Sequence, residues 1–90
     1  MDEFPFKEHQ IEENIFIRTF LNDIESEDLV WHRDREDRII ESVETTNWMI
    51  QLDDQLPKEL NAPTFIPMGV YHRLIKGDKD LKLKVIKIKK

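Results

Sequence analysis

The chain has 90 residues, a formal net charge of −5, 37% charged residues and 39% hydrophobic residues, which is room for one small domain with a lean core. No apolar run approaches the length of a membrane span, and the acidic, proline-broken start Met1-Asp2-Glu3-Phe4-Pro5 reads as no secretory leader. The absence of cysteine removes disulfides, thiol nucleophiles and cysteine-ligated zinc, and it is compatible with a reducing compartment, so a cytoplasmic location is expected.

In chain order, residues 1–13 carry weak patterning and read as an N-terminal arm ahead of a domain over residues 14–90. Asn14 to Phe20 is rich in β-branched and aromatic residues and predicts a strand. Asn22 to Asp28 is acidic and polar, either one helical turn or a loop. Leu29 to Asp34 and Arg38 to Glu44 read as strands joined by charged residues. The turn signal Thr45-Thr46-Asn47 predicts a hairpin into Trp48–Leu52. Asp53-Asp54 turns the chain again, and Pro57 and Pro63 argue against helix between them. Thr64–Ile66, Tyr71–Ile75 and Leu81–Ile88 are the remaining strands, with Gly77-Asp78 as the last turn. Seven or eight short strands at roughly 8–12-residue spacing predict an all-β sandwich or barrel. A chain this short buries about 60–65% of its unfolded surface, so self-association would add stability, and a homodimer is expected.

Charge is unevenly spread. Residues 1–44 hold 14 acids and 5 bases, and residues 45–90 hold 5 acids and 9 bases, seven of them between Lys76 and Lys90. A basic tail can signal nucleic acid. Here, however, Leu81-Lys82-Leu83-Lys84-Val85 alternates with period two, which predicts a strand with a dry face and a wet face. Lysines on an edge strand also discourage edge-to-edge pairing. The overall acidity works against a phosphate binder as well, so nucleic acid is not an expected partner, and with no apolar run of spanning length neither is a membrane.

Two segments carry the candidate chemistry. In Trp31-His32-Arg33-Asp34, a strand would point His32 and Asp34 to one face. In Pro67-Met68-Gly69-Val70-Tyr71-His72, proline and glycine make a tight corner that feeds His72 onto a strand. The second segment resembles the second motif of the cupins, small jelly-roll β-barrels whose two motifs supply inward-facing metal ligands. That motif runs glycine, five residues, Pro-x-Gly, two residues, His. Pro67, Gly69 and His72 match it, and Asn61 takes the first glycine's place, as the best non-glycine residue for a left-handed turn. Against the first cupin motif, His32 matches the first histidine, Asp34 replaces the second, Arg38 replaces the glutamate and Thr45 the glycine. The resemblance spans residues 29–88 and implies a double-stranded β-helix, or jelly-roll barrel.

What the resemblance leaves for a metal is His32, Asp34 and His72. Two imidazoles and one carboxylate form the set suited to non-haem Fe(II), and zinc or manganese could use the same ligands. The pattern is also similar to that of the 2-oxoglutarate oxygenases, for which Arg73 or Lys76 would be the basic residue holding the oxoglutarate carboxylate. Arg38 opposes any metal: at about 5 Å and an effective dielectric near 20 the repulsion is roughly 3 kcal/mol. If its side chain occupies the site, no metal binds. A bidentate Arg38–Asp34 pair would instead make Asp34 a structural counter-ion. Two functions therefore stand open: a metal-centred small-molecule site, or a non-catalytic fold for ligand binding or assembly with a structural polar network.

Around this centre, Arg38, Gln51 and Tyr71 are candidate ligand-binding residues, although Gln51 also reads as a surface residue and Tyr71 and Trp48 as core or cavity wall. If His32 faces inward, Trp31 faces outward and needs cover from the arm or a second subunit. His9 reads as solvated. The triplet His32-Arg33-Asp34 also occurs in protein kinases, but nothing else of a kinase is present.

Overall fold

The computed structural model describes residues 6–88. Among them eight strands form: β1 (Lys7–Glu12), β2 (Ile15–Phe20), β3 (Asp37–Ser42), β4 (Met49–Leu52), β5 (Lys58–Glu59), β6 (Thr64–Ile66), β7 (His72–Ile75) and β8 (Leu81–Ile88). A single 3-10 turn at Ser26–Asp28 interrupts the acidic segment. The five-stranded sheet has the order β1-β2-β8-β3-β6 and the three-stranded sheet the order β5-β4-β7, with every pairing antiparallel. The all-β class expected from strand spacing is the observed one. No helix of the described residues is long and apolar enough to cross a membrane.

The core lies between the two sheets because period-two alternation dries one face of each. From the large sheet come Phe20, Ile40, Ile66, Leu81, Leu83 and Val85; from β4, its flank and the loop after β5 come Trp48, Ile50, Leu52 and Leu60. Trp48 has no exposed surface. Its ring lies 5.8 Å from Phe20, which lies 5.2 Å from Phe6. Its indole N–H donates to the Lys79 carbonyl, so this buried polar group is satisfied.

Several expectations are corrected. Lys7–Glu12 is not a loose arm: it forms β1, paired with β2 along the sheet edge and exposed throughout. The first five residues of the expected arm lie outside the described residues. Leu29–Asp34 is not a strand but an irregular segment with one isolated bridge, His32 to His72. β3 and β4 do not form a hairpin; they belong to different sheets, so Thr45-Thr46-Asn47 carries the chain across the sandwich. Asn61 is not in the left-handed region, where Asp54 is the one non-glycine residue found among those described. Its amide pins that crossing instead, accepting from Thr46 N and donating to Thr46 O, both at 3.0 Å. The lysine strand β8 is central rather than an edge. Its lysines gain cross-strand neighbours there, with Lys84 opposite Glu41 on β3.

Candidate functional site

One reciprocal backbone pair assembles the site. His32 N donates to His72 O at 3.0 Å, and His72 N donates to His32 O at 2.8 Å. A residue pair that exchanges both hydrogen bonds projects its side chains from the same face of the sheet. Two imidazoles forty positions apart thereby become neighbours, with ring centroids 4.3 Å apart and edge-to-face. The corner works as read: Gly69 has φ +81° and Val70 N closes the turn on Pro67 O. That corner is stitched to the first segment, because Gly69 N donates to Asp34 O at 3.0 Å and Met68 N donates to Asp37 Oδ1 at 2.7 Å. Asp34 is thus held beside the histidine pair by the second segment's backbone.

The donor and acceptor roles follow from the carbonyls. His32 Nδ1 lies 3.1 Å from Val30 O, and His72 Nδ1 lies 2.9 Å from Val70 O. A carbonyl only accepts, so each Nδ1 carries the hydrogen and each neutral ring presents a lone pair at Nε2. His72 Nε2 sits 3.2 Å from Asp34 Oδ2, yet that buried oxygen receives no aligned hydrogen bond. An imidazole lone pair and a carboxylate oxygen at this distance repel unless a cation lies between or beside them, either a second proton on His72 or a metal ion. One ligand atom from each of His32, Asp34 and His72 falls within 4.8 Å of the others. Bonds of about 2.1 Å would need them roughly 3.4 Å apart in a tetrahedral site. The group fits a metal after a small inward shift of exposed His32, which a single bridge rather than a strand restrains.

Arg38 points into the cavity but does not fill the ligand position. Its Nη1 lies 3.3 Å from Asp34 Oδ1, and its Nε donates to Glu36 Oε2 at 2.6 Å. The expected bidentate Arg38–Asp34 pair is therefore corrected to a contact with one oxygen, and Oδ2 remains directed at His72. Glu36 also offsets the guanidinium charge that opposes a metal. Burial raises Asp34's pKa but, with a proton on His72 Nε2, is outweighed first by the hydrogen bond from His72 and then by the Arg38 charge, so in the metal-free protein its carboxyl titrates below the usual range. His32 is exposed as a residue, but the partial enclosure of its ring at the cavity wall is the main cause that lowers its pKa; His72 acts in the same direction, while the Val30 carbonyl and Asp34 oppose it.

Both shifts set one sign for pH. The unfolded chain binds protons that the folded state resists, for His32 below about pH 6.5 and for Asp34 below about pH 4. Stability of the metal-free protein should therefore fall as pH drops through these ranges. The check is a series of urea midpoints between about pH 8 and pH 2 for the wild type and Asp34→Asn. The variant should lose the more acidic part of the slope; an identical slope would contradict the assignment.

Beside this cluster lies a cavity of about 320 Å³, at the lower end of the range that holds small ligands. His32, Asp34, Arg38 and His72 line it, and its floor is core aliphatics such as Ile40, Ile50 and Val85. Gln51 and Tyr71 do not line it. Gln51 faces outward between buried Ile50 and Leu52, bonded to Arg73 Nε and Gln55 O. Tyr71 is exposed under the Arg33 guanidinium. Trp31 is 42% exposed, with Arg73 stacked over its ring at 4.8 Å. Lys76 donates to the Ile24 carbonyl, so neither Arg73 nor Lys76 reaches the cavity. Sequence reading missed Arg18, which does line it. The available signal was its position between Phe16 and Phe20 on the alternating face of β2.

Solved structures share this architecture. A cupin domain from Bordetella pertussis Tohama I has a TM-score of 0.67 and 19% identity over 100% of this chain and 99% of its own. DMSP lyase DddQ from Ruegeria pomeroyi DSS-3 has a TM-score of 0.71 and 12% identity over 87% of this chain and 40% of its own. Fe(II) HppE has a TM-score of 0.62 and 18% identity over 82% of this chain and 41% of its own. The chain thus spans well under half the length of the latter two. No family profile matches the chain, and no curated protein matches its sequence. The fold is a small cupin-like jelly roll.

Proposed function

We propose that the protein holds one divalent metal ion through His32, Asp34 and His72 and presents it to a small molecule in the adjoining cavity. One observation carries this reading: two imidazoles have their Nδ1 hydrogens committed to backbone carbonyls, which leaves their Nε2 lone pairs as donors in a group whose ligand atoms lie within 4.8 Å of one another, with His72 Nε2 beside a buried carboxylate oxygen that accepts no hydrogen bond. Two imidazoles and a carboxylate suit Fe(II), with zinc and manganese as competitors for the same donors. Fe(II) in the similarly folded HppE supports the choice. When bound, such an ion supplies Lewis acidity toward an oxygen ligand. The chain's own residues do the rest. Val30 O and Val70 O orient the rings, Arg38 holds Asp34 by Oδ1, and the apolar floor excludes water from one side. The test is elemental analysis after equilibration with Fe(II), Mn(II) or Zn(II) and desalting. About one ion per chain supports the reading, and a protein that retains none of the three overturns it.

The Arg38–Asp34 contact favours a second reading, in which the cluster is a structural polar network and the cavity binds a ligand without metal. Arg38→Met separates the two. Under the metal reading, loss of the neighbouring charge should raise metal affinity by about tenfold or more, measured by competition with a chromophoric chelator. Under the structural reading, the variant loses stability and still binds no metal.

Self-association is part of this proposal. On the outer face of the large sheet, Phe65, Ile39, Ile86 and Ile15 stand in one cross-strand row. Phe65 is 51% exposed. A row of that kind suits burial against a second copy. Light scattering should give twice the chain mass for the wild type and a monomer for Phe65→Glu.

A further inference from the structure

The cavity's charge is the feature that metal binding leaves unused. Two guanidiniums, Arg18 and Arg38, line it against one carboxylate, Asp34, and the remaining walls are largely aliphatic and aromatic. Arg38 is committed to the cluster. Arg18 is not. It stands on β2 between Phe16 and Phe20, opposite Leu83 of β8, on the face that builds the core. Its side chain is only 15% exposed. A charged side chain at such a position is costly unless it is paired. The pairing is partial: Glu8, on exposed edge strand β1, takes only Nε at 2.7 Å. The Phe6 ring covers one face of the guanidinium at 4.4 Å. The two Nη groups are the natural edge for a bidentate oxyanion.

We propose that the cavity takes a small organic monocarboxylate, with the carboxylate on Arg18 and a short apolar body against Phe20, Ile50 and Leu83, all of which line the cavity. Phe6 positions the anchor by covering one face of the guanidinium, while Glu8 competes for part of its charge at Nε. The other end of the ligand then extends toward His32, Asp34 and His72. The substrate class thus deepens the metal-site reading and rests on it for what lies at that end. Carboxylate selection by Arg18 needs no metal, which lets the two be tested apart. A cavity of about 320 Å³ has room for an acid with a chain of about six carbons.

The experiment is titration calorimetry with three molecules of matched length, hexanoate, hexan-1-ol and hexylamine, on chelator-treated protein and on zinc-loaded protein. Hexanoate should bind at least tenfold tighter than hexan-1-ol in both states, and hexylamine should give no heat of binding. Arg18→Gln should abolish the acid-over-alcohol preference, with binding of hexan-1-ol retained as evidence that the cavity persists. Glu8→Gln lies on the exposed edge and frees the guanidinium, so it should tighten hexanoate severalfold; this variant keeps the test decisive if Arg18→Gln folds poorly. Equal affinity for acid and alcohol overturns the proposal, as does weaker hexanoate binding in Glu8→Gln. Hexanoate binding that requires zinc and survives Arg18→Gln also overturns it, and would instead mark direct coordination by the ion. Arg18-dependent selection in a protein that retains no metal would sustain the anchor while the metal reading fails.

Discussion

His72→Ala should lower divalent-metal affinity by at least about 100-fold while the two sheets remain assembled. The expectation follows from where His72 sits. Its imidazole is 4% exposed, it shares its backbone pair with His32, and it faces the carboxylate oxygen that lacks an aligned donor. Alanine keeps the backbone bridge and removes one of three donors, which leaves too few protein ligands for a stable site. Asp34→Asn should cost a similar factor, because the amide keeps the shape and loses the charge that offsets the cation. The measurement is chelator competition at fixed pH, with amide NMR or circular dichroism to confirm the fold. Retention of one tightly held ion per chain in both variants would sink the assignment of these ligands.

Trp48→Ala should have the largest effect on stability, a loss of about 3–5 kcal/mol. The side chain is fully buried between the sheets, packs on Phe20, and satisfies the Lys79 carbonyl. Truncation therefore opens a cavity and strands an acceptor. A domain of this size has a total stability of only about 5–13 kcal/mol, so a large fraction of the variant should unfold in moderate urea. Urea melts followed by far-ultraviolet circular dichroism measure this, and a midpoint within error of wild type would contradict the assignment of Trp48 to the centre of the core.

Much of the fold was legible because alternation is a local property. Thr64–Ile66 and Leu81–Ile88 have the predicted bounds, and β2 and β4 begin one residue later than predicted. The misreadings share a cause. Lys7–Glu12 has no buried face, so it lacks the alternation that identifies a strand, and its order comes from hydrogen bonds to β2. Leu29–Asp34 has strand-like composition, but one bridge to β7 is all the pairing it gains. A turn signal at residues 45–47 says that the chain changes direction, not which sheet receives it.

The site divides in the same way. Residue type and spacing singled out the two segments, the resemblance to the cupin motifs joined His32, Asp34 and His72 into one candidate set, and the Pro67–Gly69 corner behaves as its composition requires. Arg38 could be placed near them, but not aimed. Only the assembled sheets decide that its guanidinium is shared between Asp34 and Glu36, that Gln51 and Tyr71 face away, and that Arg18 enters the cavity. The physical reason is range: backbone geometry and alternation act over a few residues and are written in the chain, whereas the direction of a long charged side chain is set by partners that only the packed sheets bring within reach.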